Sequence, residues 1–147
     1  MISKGFTAPL HSLNKKGNSS FFREILDLRI KQHQEALNNE LSFFDRGIPD
    51  SLAFFKYMDI AAPSALIKSI EEYRYYEKVI MLPPWEEIFH KDEIRKENFR
   101  DSILLYELTK EAYMKSGYDI WELPEDSIEG RISYLLQLLS TRNLIEL

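Results

Sequence analysis

The run Val79-Ile80-Met81-Leu82, closed by Pro83-Pro84, is the segment that most narrows the folds open to this chain. Its continuous apolar character, within a strand expected from Tyr76 to Leu82, suits burial on both faces rather than on one. Two prolines cannot extend a ladder that needs their N–H groups, so the strand ends there. Helical periodicity flanks it on both sides, which is the pattern of a sheet with helices packed on its faces.

The rest of the chain repeats that alternation. From Ser20 to about Asn38, Phe22, Ile25, Leu26, Ile30, Ala36 and Leu37 recur at helical steps, with Arg23, Lys31, Gln34 and Glu35 on the other side. Leu41-Ser42-Phe43-Phe44 is too short for a helix and rich in β-formers, and it stops at the charged turn Asp45-Arg46-Gly47, so a buried strand is expected over 41–45. Pro49 and Pro63 suit the first turns of two helices, one running through Tyr57 and one carrying Leu66, Ile67, Ile70 and Tyr73. A helix from about Glu93 to Ser116 follows, with Gly117 placed to cap it. Residues 118–123 alternate polar and apolar as a third strand, and Asp126 with Glu129 has capping-box spacing for a last helix through about Ser140.

Strands separated by helices of this length predict an α/β fold with a mostly parallel sheet and right-handed crossovers. Ligands in such folds sit beyond the C-terminal ends of the strands. Those ends carry Asp45-Arg46-Gly47, Pro83-Pro84-Trp85-Glu86 and Leu123-Pro124-Glu125-Asp126, whose polar residues are the site candidates.

Composition removes several functions. The 147 residues are 44% hydrophobic and 29% charged, as for one soluble globular domain, and Gly5, Pro9, Gly17 and Asn18-Ser19-Ser20 mark residues 1–18 as the least structured part. With 19 Lys plus Arg against 24 Asp plus Glu, the net charge is −5, so a general grip on nucleic acid or anionic lipid is not expected. No cysteine is present, which excludes disulfide scaffolds, Cys-ligated zinc, iron–sulfur clusters and thiol catalysis. No membrane span or signal sequence is legible, and the cytoplasm is the expected location. His11, His33 and His90 lack metal-site spacing, and no serine has a triad or nucleophile-elbow context. Tyr73, Tyr75 and Tyr76 around Arg74 read as aromatic packing at a helix-to-strand junction, and Trp85 and Trp121 as core or pocket-rim anchors.

A hydrophobic strand that ends in an acid has the form of a Walker B element, whose carboxylate holds a magnesium ion or its water beside nucleotide phosphates. On that pattern alone, Asp45 could equally pair with Arg46 or cap a turn. The surrounding residues say more. Phe43-Phe44-Asp45-Arg46-Gly47-Ile48-Pro49-Asp50-Ser51, then Val79-Ile80-Met81-Leu82-Pro83-Pro84-Trp85-Glu86, then Asp92-Glu93-Ile94-Arg95-Lys96-Glu97, in this order and spacing, resemble the AAA-type predicted ATPases. These are kinase-like P-loop proteins related to nicotinamide riboside kinase domains, and the resemblance spans about Phe21 to Leu139.

The resemblance implies a Rossmann-like P-loop kinase fold that binds Mg2+ with ATP or GTP. By it, Asp45 looks like the Walker B acid that assists magnesium, and Arg46 like the arginine that reaches toward the phosphoryl acceptor. Asp92-Glu93-Ile94-Arg95-Lys96 looks like the lid, with Arg95 closing over the phosphates, Lys96 beside it, and Arg100 a further candidate one turn along. Without the family, these lid charges read as a solvated helix face.

One family element is missing. No G-x-x-x-x-G-K-[ST] motif occurs, and neither Lys4-Gly5 nor Lys16-Gly17 has its spacing. Residues 19–147 are therefore expected to be the C-terminal portion of a P-loop NTPase or kinase-like domain, truncated of its first strand, P-loop and helix. In the family fold that strand lies between the strands corresponding to 41–45 and 77–82. The remaining strands are then expected to pair directly, recruit residues 1–18 or borrow a strand from another chain, so self-association is one expected outcome.

Three functions follow: a partial ATPase or small-molecule kinase that handles nucleotide phosphates when the missing part is supplied, nucleotide binding completed in trans, or an inactive remnant that serves as a protein-interaction module. The phosphoryl acceptor is not specified by the residues.

Overall fold

The structure is a computed structural model that describes residues 18–89 and 98–146. The expectation of little structure over 1–18 falls almost wholly outside the described residues, as does the part of the expected helix at 93–97. The elements in order are α1 (Asn18–Ala36), α2 (Asp50–Tyr57), α3 (Ser64–Glu72), β1 (Lys78–Met81), α4 (Phe99–Lys115), β2 (Asp119–Glu122) and α5 (Ile128–Thr141), with a 3-10 turn at Glu86–Ile88 between β1 and α4. The architecture is mixed α/β.

Among the described residues the sheet has two strands, β1 and β2, paired in parallel with Lys78 opposite Asp119 and Met81 opposite Glu122. The connection between them contains α4, the crossover that parallel pairing requires. Residues 41–45, expected as a strand, form none. Their sequence has the β-formers, but a strand is defined by a neighbour. Leu41–Asp45 makes no backbone hydrogen bond among the described residues, and β1 pairs along one edge only, with β2.

For the same reason β1 is only half buried, not covered on both faces: Lys78, Val79 and Ile80 are intermediate and Met81 alone is buried.

The core lies where the helices meet. Phe22 of α1, Ile48, Phe55 of α2, and Leu66 and Ile70 of α3 form one buried cluster, with the Phe22 and Phe55 rings 4.6 Å apart. Pro49 caps α2, and the fully buried Ile48-Pro49 pair sets that helix into the core. α2 in turn packs against α4.

Helix ends follow local chemistry. Asn98 and Asp101 form a reciprocal capping box on α4, and Gly117 ends it at φ 83°, a left-handed conformation that costs glycine little. The capping box expected from Asp126 and Glu129 is replaced by Ser127, whose hydroxyl accepts from the Gly130 N–H at 3.0 Å. Asp126 instead accepts from the Ser127 N–H, and the cap falls one residue later.

Candidate functional site

The turn Asp45-Arg46-Gly47 leaves the 41–44 segment and enters α2. Arg46 has φ 72°, a left-handed conformation uncommon for a residue with a side chain, so the surrounding contacts must hold it there. Asp50 supplies most of them. Its carboxylate, 4% exposed, accepts from the Gly47 N–H at 2.8 Å, from the Tyr113 hydroxyl at 2.6 Å and from Arg46 Nη1 at 3.2 Å. Such charge-assisted bonds are stronger than neutral ones, and the carboxylate sits in the first turn of α2, where the helix dipole favours an anion.

A second layer supports the first. The Ile48 N–H donates to the Tyr75 hydroxyl at 3.2 Å, and Arg29 Nη1 of α1 donates to Ser51 Oγ at 2.8 Å. Burial pushes the Arg29 guanidinium down from its ordinary value while the nearby Asp50 charge pulls it back. Burial raises both the Tyr113 and Tyr75 hydroxyls, and the Asp50 carboxylate adds to the rise. Gly47 is required for closeness: a Cβ there would meet the Tyr113 hydroxyl oxygen at 2.7 Å and the Tyr75 ring at 3.0 Å.

The aromatic junction expected around Arg74 forms at Tyr73 and Tyr75, while Tyr76 is 48% exposed. The His33 ring meets the edges of Tyr73 and Tyr75, His33 Nε2 lies 2.8 Å from the Arg74 carbonyl, and the Arg74 guanidinium stacks 4.0 Å from the Tyr118 ring centre.

The turn opens onto a groove of about 1360 Å³. Its walls include 41–47, Lys78–Leu82, and side chains from α4 and α5, and both Trp85 and Trp121 lie on it. Asp45 is exposed on this groove, and among the described residues its carboxylate has no hydrogen-bond or ion-pair partner. Arg46 shares the groove with its side chain 58% exposed, while its Nη1 is tied to Asp50.

The structure thus puts Asp45 and Arg46 side by side. Arg100 is exposed in the first turn of α4 and is not among the residues lining the groove. Arg95 and Lys96 lie outside the described residues. Among the described residues no group of three or more His, Asp or Glu is placed to hold a metal ion.

One family model matches the chain, described as an AAA domain and covering residues 4–131. The chain belongs to this AAA domain family. The match links it to the P-loop NTPases broadly and contains the Asp45-Arg46 turn, α4 and the groove residues up to Arg131. No curated protein and no solved structure matches the chain. Among the described residues of this AAA domain, no helix is long and apolar enough to cross a membrane.

None of Arg29, Asp50, Ser51, Tyr75 and Tyr113, which support the AAA domain's turn, is among the site residues expected from the sequence. Asp50 and Ser51 left a signal, since both stand in the Phe43–Ser51 stretch that carries the resemblance, Asp50 directly after Pro49 at a helix start. Arg29, Tyr75 and Tyr113 lie 22 to 63 residues from the partners they hold in and beside the turn.

Proposed function

We propose that this AAA domain is the portion of a Rossmann-like P-loop ATPase or small-molecule kinase that presents magnesium and acceptor-side groups to a nucleotide. The supporting observation is the Asp45-Arg46 turn, held in a left-handed conformation by Asp50 with both functional side chains open on the groove. Backbone strain maintained by a buried network is characteristic of functional turns.

The donor set fits part of the group. Asp45, unpartnered and at the groove, would hold Mg2+ or its water, and the metal would neutralise phosphate charge. Arg46 would present a planar, permanently charged fork to the acceptor or to a phosphate oxygen, and Asp50 fixes one of its nitrogens. Arg95 and Lys96, with Arg100, would act as the lid that closes on the nucleotide and excludes water. The sequence contains no glycine-rich Walker A loop, so the phosphate cradle has to come from elsewhere.

The test is a thermal-shift titration of the native product with Mg-ATP and Mg-GTP at millimolar concentration, repeated with Asp45→Asn and Arg95→Ala. A magnesium-dependent shift that both substitutions remove supports the reading. A shift that survives both, or no shift with a Walker A segment supplied, overturns it and favours the interaction-module reading.

A further inference from the structure

Asp45 and Arg46 are adjacent, opposite in charge and both exposed on the groove, yet they do not pair. Among the described residues the ion pair of Arg46 runs to Asp50, four positions on, and Asp45 is left without a partner.

Three features decide which carboxylate takes the guanidinium. Asp50 is buried while Asp45 is exposed, and a charge pair gains more where less water screens it. Asp50 is also fixed beforehand: the Gly47 N–H and the Tyr113 hydroxyl both donate to its Oδ2, so little side-chain freedom is lost when Arg46 reaches Oδ1. An exposed pair of Asp45 with Arg46 would have to order two side chains in water for little gain. Finally, Arg46 Nη1 is the one donor to Asp50 Oδ1 among the described residues, and a buried acceptor left without a donor is costly. Arg46 is therefore drawn to Asp50 by need on both sides.

The outcome bears on a cation at the turn. A carboxylate that carries a guanidinium must release it before it can bind a metal ion, and Mg2+ gives up its own water reluctantly. An arginine directly beside a metal-binding acid is a built-in competitor unless something else holds it.

We propose that Asp50 is a positioning residue that holds the Arg46 guanidinium away from Asp45 and so keeps the Asp45 carboxylate open to a divalent cation. The inference rests on the reading of Asp45 as the magnesium-side acid, and it supplies the residue that makes that role compatible with the arginine next to it. Asp50 acts through Arg46 and not on the metal.

The probe is Mn2+ alone, titrated into 15N-labelled protein at physiological salt. Paramagnetic broadening of the Asp45 and Arg46 amide signals is read on folded molecules only, so lost stability does not enter. Asp45→Asn identifies the part of the broadening that belongs to that carboxylate. A cycle of parent, Asp50→Asn, Arg46→Met and the double variant then isolates the coupling. Asp50→Asn weakens Mn2+ binding about fivefold, the upper range for competition from an exposed ion pair, because the released Arg46 turns to Asp45. Arg46→Met restores binding in the Asp50→Asn background and has little effect in the parent. Two charges acting independently through space would add, so the signature is a departure from additivity of more than about twofold. A second measurement needs no variant and covers an Asp50→Asn chain that fails to fold: by side-chain 15Nε relaxation, Arg46 in the parent is more ordered than the exposed Arg23. An additive cycle, or an Arg46 as mobile as Arg23, overturns the assignment of Asp50 and leaves the magnesium reading standing. No broadening at Asp45 in the parent, or broadening that survives Asp45→Asn, overturns the magnesium reading and this assignment with it.

Discussion

Tyr113 donates its hydroxyl proton to Asp50 Oδ2 over 2.6 Å, and so joins α4 to the first residue of α2 across 63 positions of sequence. The bond is buried and its acceptor also holds Gly47 and Arg46, so α4 is mechanically part of the Asp45-Arg46 turn. Tyr113→Phe should cost about 1.5–3 kcal/mol, the range for a hydrogen bond to a charged group. Urea denaturation measures it. In the Tyr113→Phe background, Asp50→Asn should cost less than it does alone, because the two substitutions remove a shared interaction.

Alkali probes the same bond. Burial raises the Tyr113 hydroxyl, with the Asp50 charge second, so the folded state favours the neutral phenol. A group whose folded value is raised contributes stability below its unfolded value, about 10 for tyrosine, and loses it as pH climbs above that value. Stability should therefore fall above about pH 10. Tyr113→Phe should make the fall shallower but not abolish it, since Tyr75 is raised for the same first reason. An unchanged slope in the variant would assign the alkaline loss elsewhere.

Gly47→Ala tests how tightly the turn closes. The added methyl would stand 2.7 Å from the Tyr113 oxygen and 3.0 Å from the Tyr75 ring, distances that force movement. Overpacking of this kind costs about 1–3 kcal/mol. Combination with Tyr113→Phe should recover part of the loss by removing the nearer atom, a sign reversal that a simple sum of two destabilising substitutions would not produce.

What the sequence made legible was mostly local. The apolar steps of α1, the prolines before α2 and α3, and Gly117 after α4 each act within a few residues, and the structure has a helix or a helix end at each. The 41–45 strand failed because propensity describes a segment and pairing describes a neighbour: Leu41-Ser42-Phe43-Phe44 has the residues and lacks the adjacent strand. At the candidate site, Asp45 and Arg46 were readable as a charged pair at the end of an apolar run. The role of Asp50 was only partly readable, because Gly47 and Arg46 are local donors but Tyr113 reaches its carboxylate only after α2 and α4 pack.

Acid tests a second tie between the same two helices. Glu111 of α4 forms ion pairs with Lys115, at 2.5 Å, and with Lys56 of α2. The hydrogen bonds from Lys115 and then Lys56 hold its carboxyl down at about 2, against an ordinary 4.5. A depressed folded value contributes stability above the unfolded one and loses it as pH falls through the folded one, so the loss runs from 4.5 toward 2. Glu111→Gln should lower the urea midpoint at neutral pH slightly and flatten its decline across that window. Some slope should persist, because Lys110 and Tyr106 depress Glu122 in the same way. The pair is partly exposed, so about 1 M salt, where the screening length is about 3 Å, should shrink the difference between variant and parent. A difference that survives such salt would mean that the Glu111 side chain acts through its packing between α2 and α4 and not through its charge.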